Sequence, residues 1–256
     1  MSRSDLPPLA LAYHGIADIP LRRDPHGHFV APRQFRRQLG RLRKWGYELV
    51  SFGQLSARIA SGGGSGLAAL TFDDGLVDNV ETLVPLLERA GARATVFVVS
   101  GWLGAPHPVA GWTRIMDAGE LRALHAAGVE VGGHTRTHPD LSRLSYEEAR
   151  AELEDGKNDL EAVLDSRVEV AAYPYGSATS ETIRACRDAG FRAAARASGF
   201  GSWDEPLNLP RQDMTNSLNL ISLRLKRDDL YEPLVRRLPG RAVRSLARRT
   251  RIRLGV

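Results

Sequence analysis

One arrangement occurs three times along this chain: an amphipathic helical pattern ends at Ala-Gly, and a short apolar run follows within a few residues. Glycine suits the left-handed position at which a helix ends. The apolar runs do not alternate with polar residues, which favours strands buried on both faces, as in a parallel sheet. The sequence therefore predicts consecutive βα units. The three junctions are Ala90-Gly91, Ala127-Gly128 and Ala189-Gly190, followed by ATVFVVS, VEVGG and FRAAA.

The predicted elements alternate between strand and helix, and a chain of 256 residues can form one sizeable α/β domain. This alternation predicts either a parallel barrel or a doubly wound sheet. Asp117 with Glu120, and Ser145 with Glu148, have the spacing of an N-cap and its third residue. The predicted strands are 9–13, 48–51, 67–72, 94–100, 129–133, 168–173 and 191–196, and the predicted helices are 33–45, 53–60, 77–90, 118–127, 145–164 and 179–189.

The positive charge of the chain is concentrated at its C-terminal end. Residues 231–256 contain eight arginines and one acidic residue, Glu232, so they carry a net charge of +7. Because the whole chain carries +5, the residues before them carry −2. We therefore predict one main domain, of a size typical of catalytic domains, over residues 1–230, with no nucleic-acid footprint, and a basic, helical tail over 231–256. The tail is interpreted as a solvated terminal helix, with peripheral contact to an anionic membrane surface as the alternative.

Cysteine content and the N-terminal segment bear on the cellular location. The single cysteine, Cys186, cannot form an internal disulfide and is predicted to be a small core residue. The N-terminal segment has no apolar run long enough for a signal peptide, and no segment approaches the roughly 20 apolar residues of a membrane span. The expected location is therefore the cytoplasm. The oligomeric state is left open.

Polar clusters follow three of the predicted strands. Asp73-Asp74-Gly75 follows strand 67–72, a segment with histidines at 134 and 138 follows strand 129–133, and Tyr173-Pro174-Tyr175-Gly176 ends strand 168–173. In parallel α/β folds the loops at the carboxyl ends of the strands form the active site. We therefore expect all three clusters on one rim of the sheet.

These residue types suit a catalytic metal site. His134 and His138 are four residues apart, which would place both imidazoles on the same side of a helical turn. With one carboxylate they make three ligands and leave positions open for water and substrate. The adjacent carboxylates of Asp73 and Asp74 repel each other unless a cation compensates one of them. The alternatives are a turn with a helix cap at Asp73-Asp74-Gly75, and the two-histidine, one-carboxylate site of an iron enzyme.

In this order and spacing, TFDDG, HTRTHPDL and YPYG resemble the motifs of the polysaccharide deacetylase (NodB-like) family, carbohydrate esterase family 4. The resemblance covers roughly residues 9–213. It implies a distorted α/β barrel of the (β/α) type with about seven repeats, fewer than the eight of a complete barrel. It also implies an N-acetylated glycan, polymer or precursor, as the substrate.

The resemblance also implies roles for individual residues. Asp73 would be the general base, and Asp74 would join His134 and His138 on a divalent metal, usually Zn²⁺, with Co²⁺, Ni²⁺ or Fe²⁺ as alternatives. The backbone N–H of Tyr175 would bind the oxyanion. The residues expected to contact the substrate are Tyr13, Pro174, Tyr175 and Trp102. Three loop tryptophans, Trp102, Trp112 and Trp203, are candidates to stack on sugar faces, with the anchoring of their loops as the alternative role.

Two departures from the family pattern concern the groups around the base and the acid. The family has an arginine two residues before the motif's proline, where this chain has Ala172, and Arg211 is the predicted substitute. No histidine follows His138, so the family's C-terminal acid is absent. The segment LAYHGI resembles an N-terminal segment of the branch that deacetylates exopolysaccharide poly-N-acetylglucosamine, so His14 is the predicted general acid. A non-catalytic glycan- and metal-binding relative remains an alternative.

Overall fold

The computed structural model describes residues 6–20, 22–25, 27–197 and 202–215. Strands and helices alternate along these residues. The strands are β1 (Leu9–Tyr13), β2 (Glu48–Val50), β3 (Leu67–Phe72), β4 (Thr95–Val98), β5 (Glu130–Gly133), β6 (Val170–Ala172), β7 (Ala193–Ala195) and β8 (Gln212–Asp213). The α-helices are α1 (Pro32–Lys44), α2 (Phe52–Ala60), α3 (Val84–Ala90), α4 (Ala118–Ala126), α5 (Tyr146–Leu164) and α6 (Ser180–Asp188).

The strands form one parallel sheet that curls into an incomplete barrel. Their order is β7-β6-β5-β4-β3-β1-β8, and β2 pairs with the start of β3. The segment that contains β8 joins the two edges of the curled sheet, because Leu209 bridges to Ala195 of β7 while Gln212 and Asp213 pair with β1. The predicted distorted α/β barrel is thereby confirmed.

Strand side chains alternate between two apolar clusters. In β3, Ala68, Leu70 and Phe72 pack under the helices, whereas Leu67 and Ala69 belong to the cluster that fills the barrel. Most of the barrel-filling side chains are small, and Phe97 occupies the space between them: a Cβ at Gly132 would lie 2.4 Å from its ring. The interior of the barrel is therefore narrow.

Helix termini follow the predicted signals. Asp117 and Ser145 each form a capping box, with Glu120 and Glu148 respectively. The glycines of the three Ala-Gly junctions have positive φ values of 52°, 80° and 78°, as left-handed helix ends require. These caps place each helix end, and so each following strand, within a few residues of its predicted position.

The predicted continuous helix 77–90 is wrong in its first half. A π-helical turn spans Asn79–Leu83 before α3 begins at Val84. Pro85 has no backbone N–H and cannot donate to the carbonyl one α-helical turn earlier. The wider turn accommodates this missing donor.

The basic tail predicted over 231–256 lies outside the described residues, as does everything beyond residue 215. Its helical structure and its membrane contact stay predictions. None of the helices in the described ranges combines the length and apolar character that a membrane crossing needs.

Candidate active site

Three side chains from two strand ends meet at the carboxyl edge of the sheet. Asp74 follows β3, and His134 and His138 follow β5. Oδ1 of Asp74 lies 3.7 Å from Nε2 of His134 and 3.6 Å from Nε2 of His138. One ligand atom from each residue lies within 4.8 Å of the other two. We call these residues the Asp-His-His cluster.

A main-chain carbonyl fixes the ring of His134. Its Nδ1 lies 2.8 Å from the carbonyl oxygen of Ala172 at the end of β6. Because a carbonyl oxygen only accepts, Nδ1 carries the proton and Nε2 turns its lone pair toward Asp74. A histidine that ligates a metal usually has this second hydrogen bond.

His138 reaches the cluster through a sharp loop, so the predicted helical turn over 134–138 is wrong. Thr135 and His138 both have positive φ values, 64° and 62°. Oγ1 of Thr135 accepts the N–H of His138 at 3.0 Å. Glu152 in α5 accepts the two backbone N–H groups between them, at 3.1 and 2.8 Å. The loop conformation therefore depends on α5 rather than on helical spacing.

Uncommon backbone conformations concentrate at this edge of the sheet. Of the five non-glycine residues with positive φ in the described ranges, four are Asp74, Thr135, His138 and Tyr175. Each such conformation costs on the order of 1–3 kcal/mol and persists only where surrounding contacts hold it. Strain of this kind is typical of functional sites.

Burial and neighbouring charges set the protonation of the cluster. Burial, together with the neighbouring His134, lowers the pKa of His138 to about 4. His138 is therefore neutral at pH 7 and keeps a lone pair for a metal. Burial acts to raise the pKa of Asp74, but the hydrogen bond from His107 and the nearby imidazoles outweigh it and hold that pKa below its usual range.

Asp73 is bound by a fully buried arginine. Nη1 and Nη2 of Arg211 donate to Oδ1 and Oδ2 of Asp73 at 2.6 and 2.9 Å, a bidentate pair. Nη1 also donates to Thr71 at 3.0 Å. Burial acts to raise the pKa of Asp73, but the Arg211 charge and hydrogen bonds outweigh it, and the pKa lies below its usual range. Arg211 thus binds Asp73, the predicted base. This is the residue that the family's arginine, replaced here by Ala172, is expected to orient.

His14 lies beside the two aspartates. The β1–β3 register pairs Tyr13 with Phe72, so the next residues, His14 and Asp73, are neighbours. The nearby imidazole of His14 is among the causes that lower the pKa of both Asp73 and Asp74. The ring of His28 stacks on it with a centroid separation of 4.6 Å.

The π-helical turn anchors the segment that carries His14. Nδ2 of Asn79 donates to the His14 carbonyl at 3.1 Å, and the Asp78 carboxylate accepts the N–H of Ile16. Departures from α-helical geometry of this kind are frequent at functional sites.

Tyr175 stands at the rim with its backbone available. Its φ is 58° and its side chain is 70% exposed, with the ring against His138 at 4.9 Å. In the described part of the chain its N–H has no acceptor. Pro174 is buried and shapes the turn, so little of it is open to a substrate.

The predicted substrate contact of Tyr13 is wrong for its side chain. Tyr13 is fully buried, packs against Phe35 and Phe72, and donates its hydroxyl to Gln38 at 3.1 Å. It faces the helices because the residue before an inward-pointing His14 must point outward.

The three predicted tryptophans have different surroundings. Trp102 packs against His138 with ring centroids 5.2 Å apart, next to the cluster. Trp112 is 37% exposed and lies against Phe29 at 4.9 Å. Trp203 packs on the apolar cluster inside the barrel. The contact of Trp102 with a substrate stays a prediction.

His107 was not identified from the sequence. Its Nε2 lies 3.4 Å from Oδ2 of Asp74. It sits in a loop between β4 and α4, with no periodic spacing to the other histidines that could have indicated its position.

The donor atoms of the Asp-His-His cluster fit a divalent transition ion. They are one ionised carboxylate oxygen and two imidazole nitrogens, His134 with its proton fixed on the opposite nitrogen and His138 neutral at pH 7. Nitrogen and oxygen ligands of this number are typical of catalytic zinc sites that leave a position open.

The family model described as polysaccharide deacetylase matches residues 61–194. The YxkH protein of Bacillus subtilis (strain 168) is 25% identical over 123 residues, 48% of this chain and 42% of that protein. The chitooligosaccharide deacetylase of Sinorhizobium fredii is 31% identical over 150 residues, 57% of this chain and 64% of that protein. The chain thus spans less than half of the first relative and under two thirds of the second.

Solved structures share the fold at low identity. The Streptococcus pyogenes deacetylase PplD, in complex with acetate, has a TM-score of 0.75 and 22% identity, over 86% of this chain and 97% of that one. IcaB from Ammonifex degensii has a TM-score of 0.73 and 19% identity, over 89% and 98%. Because the family model spans just over half of the chain and includes Asp73 and the whole Asp-His-His cluster, this chain belongs to the polysaccharide deacetylase family.

Proposed function

We propose that this chain is a metal-dependent hydrolase that removes N-acetyl groups from an N-acetylhexosamine-containing polysaccharide or glycan precursor. The observation that carries the proposal is the placement of the Asp-His-His cluster next to Asp73, which Arg211 binds through both carboxylate oxygens. A metal site beside an ionised, oriented carboxylate provides the two functions that amide hydrolysis by water needs.

The Asp-His-His cluster would hold the ion, with Zn²⁺ as the expected metal and Co²⁺, Ni²⁺ or Fe²⁺ as alternatives. When bound, a divalent ion supplies Lewis-acid polarisation of a carbonyl and lowers the pKa of water. The carboxylate of Asp74 and the two neutral imidazoles would supply one negative charge. A divalent ion bound there would keep a net positive charge, which attracts the negative charge that develops on the carbonyl oxygen in hydrolysis.

The remaining steps belong to side chains and backbone of this chain. Asp73, ionised and oriented by Arg211, takes a proton from the attacking water as the C–O bond to the acetamide carbon forms. The N–H of Tyr175 donates to the oxyanion. His14 then protonates the amine nitrogen as the C–N bond breaks, which releases acetate and the free amino sugar.

One observation counts against each of the two alternatives. A non-catalytic relative was suggested by Ala172, but Arg211 binds Asp73 from another strand segment. An iron enzyme with two histidines and one carboxylate would be expected on a β-rich barrel, whereas this barrel is parallel with helices between its strands.

Acetate release from a panel of N-acetylated glycans, with metal stripped and restored, tests the proposal. We expect activity to disappear with the metal and to return when Zn²⁺ is added. The panel also identifies the sugar and separates a polymer from a precursor. Binding of glycan and metal without any acetate release would refute the enzymatic function.

Variants test the assigned roles in the same assay. Asp73→Asn should abolish acetate release and retain the metal, and His14→Ala should slow release by about 10²–10⁴-fold, the usual contribution of an acid or base. His125→Ala, at an exposed position of α4, is the matched control and should behave as the wild type. Loss of metal in Asp73→Asn would mean that the two aspartates have exchanged roles.

A further inference from the structure

A hairpin-like loop between β4 and α4 brings an additional histidine to the Asp-His-His cluster. Backbone hydrogen bonds join its two sides: Gly104 donates to Met116 at 3.0 Å and His107 donates to Thr113 at 3.0 Å. Its base is attached to the segment after Asp74, because the N–H of Met116 donates to the Gly75 carbonyl at 2.9 Å. The position of His107 is thus tied to the backbone that carries Asp74.

The backbone of the same loop determines the tautomer of His107. The N–H groups of Val109 and Ala110 both donate to Nδ1 of His107, at 3.2 and 2.9 Å. A nitrogen that accepts hydrogen bonds carries no proton, so the proton of the neutral ring is on Nε2. His107 therefore presents an N–H donor from Nε2.

That donor faces one oxygen of Asp74. Nε2 of His107 lies 3.4 Å from Oδ2 of Asp74, slightly longer than the usual N–H···O hydrogen-bond distance. The other oxygen, Oδ1, faces His134 and His138 at 3.7 and 3.6 Å. The two carboxylate oxygens therefore have different surroundings: Oδ2 lies beside the N–H donor of His107, and Oδ1 lies beside the Nε2 atoms of His134 and His138.

The indole of Trp102 lies between His107 and the cluster residue His138. Trp102 contacts His107 edge-on with a centroid separation of 5.8 Å, and it packs on His138 at 5.2 Å. The His107 side chain is only 14% exposed. The ring is thus held on one side by two backbone N–H groups and on another by Trp102, so little rotation is available to it.

We propose that His107 is a positioning residue of the metal centre: its Nε2–H binds Oδ2 of Asp74, so that Oδ1 is the oxygen presented to the ion. The inference rests on the proposed function, because it takes Asp74 as a ligand. His107 is not itself a fourth ligand, since one ring nitrogen accepts from the backbone and the other carries the proton.

Metal affinity of the full chain tests this role without a substrate. The affinity for Zn²⁺ is measured by chelator competition, and the Co²⁺-loaded protein is examined by visible absorption. His107→Leu removes the donor, and we expect an affinity about 10–100-fold lower, as for other residues that hydrogen-bond to metal ligands, with an altered Co²⁺ spectrum. His107→Gln keeps an N–H donor and should recover most of the affinity. The exposed His125→Leu should match the wild type.

The outcomes separate this inference from the proposed function. Thermal unfolding of the metal-free variants checks that each is folded. His107→Leu with wild-type affinity and an unchanged Co²⁺ spectrum would overturn the positioning role, even if acetate release is intact. Failure of His107→Gln to improve on His107→Leu would also contradict it. Wild-type protein that binds Zn²⁺ tightly but never releases acetate would refute the enzymatic function and leave the role of His107 standing.

Discussion

Arg211 and Asp73 form a buried ion pair whose members are 138 residues apart in the chain. Such a pair gains Coulomb energy but loses the solvation of two charges, so its net contribution to folding is small. Its value for the proposed reaction is orientation: the planar guanidinium fixes both oxygens of the base and keeps the carboxylate ionised. A lysine at position 211 would keep the charge and lose the bidentate geometry.

The pair predicts strong non-additivity in unfolding experiments. Arg211→Met leaves the Asp73 carboxylate buried without its cation, and we expect the free energy of unfolding to fall by about 3–5 kcal/mol. In the double variant Asp73→Asn, Arg211→Met, neither charge remains, and the loss should be smaller than the sum of the single losses. Urea unfolding of the four proteins measures this coupling. Additive effects would show that the two side chains do not depend on each other.

Asp78 predicts a pH-dependent change in stability. Burial raises the pKa of Asp78 from 3.8 to about 6, although the N–H of Ile16 acts in the opposite direction. Between these two pH values Asp78 is ionised in the unfolded chain and protonated in the folded chain. Folding therefore binds a proton, and the free energy of unfolding falls as the pH rises. The loss amounts to about 3 kcal/mol by pH 7, at about 1.4 kcal/mol for each pH unit of the shift.

Asp78→Asn removes this titration and keeps an oxygen that can accept the Ile16 N–H. Its free energy of unfolding should therefore rise relative to that of the wild type between pH 4 and pH 7. Denaturant unfolding at several pH values measures the difference. A difference that stays constant over this range would contradict the raised pKa.

Residues carrying a motif could be predicted from the sequence, and residues placed by loops could not. Asp74 and His134 follow buried strands, so their arrival at one rim follows from parallel topology. His107 reaches Asp74 through a loop whose path depends on its own backbone hydrogen bonds. For Tyr13 the motif was recognised but the direction of the side chain was not, because the sequence does not show which residues of a fully buried strand face the helices.

Strands and helices with clear end signals are predicted from the sequence to within a few residues. The Ala-Gly junctions and capping boxes act through local backbone chemistry, which the sequence shows directly. The two residues of β8 carry no such signal, since that strand exists only because it pairs with β1. Tertiary pairing of this kind is invisible in a short local pattern.

Helix α5 supports the loop between the two cluster histidines at one glycine. A Cβ added to Gly156 would lie 2.7 Å from the carbonyl carbon of Thr135 and 2.8 Å from the backbone nitrogen of Arg136. Glycine inside a helix normally costs about 1 kcal/mol relative to alanine. Its presence here is explained by the close approach of the loop backbone.

A matched pair of Gly→Ala substitutions tests this explanation. Gly156→Ala should destabilise the protein by about 1–3 kcal/mol, as overpacking does, and should weaken metal binding because the loop moves. Gly40→Ala in α1, where nothing lies within 4 Å of the added Cβ, should stabilise by about 0.5–1 kcal/mol. Chemical denaturation and metal titration of both variants provide the comparison. Equal stabilisation by both substitutions would show that α5 does not constrain the loop.

The barrel separates an apolar interior from a polar rim. The chain crosses this rim after β1, β3, β5 and β6, so residues distant in sequence meet there. An ion bound by Asp74, His134 and His138 would join the loops that follow β3 and β5, across β4. Metal binding should therefore stabilise the fold as well as the site.

Stabilisation by the metal should distinguish the two aspartates. Free Zn²⁺ at about 100 times its dissociation constant should stabilise the wild type by about 2.7 kcal/mol, which for a chain of this size raises the melting temperature by about 5–10 °C. A chelator should reverse the shift. Asp74→Asn should lose most of the shift because it removes a ligand charge, whereas Asp73→Asn should retain it, because Asp73 is held by Arg211 and not by the ion. Calorimetry of the three proteins with and without Zn²⁺ makes the measurement, and a shift that survives in Asp74→Asn but is lost in Asp73→Asn would assign the ligand to the other carboxylate.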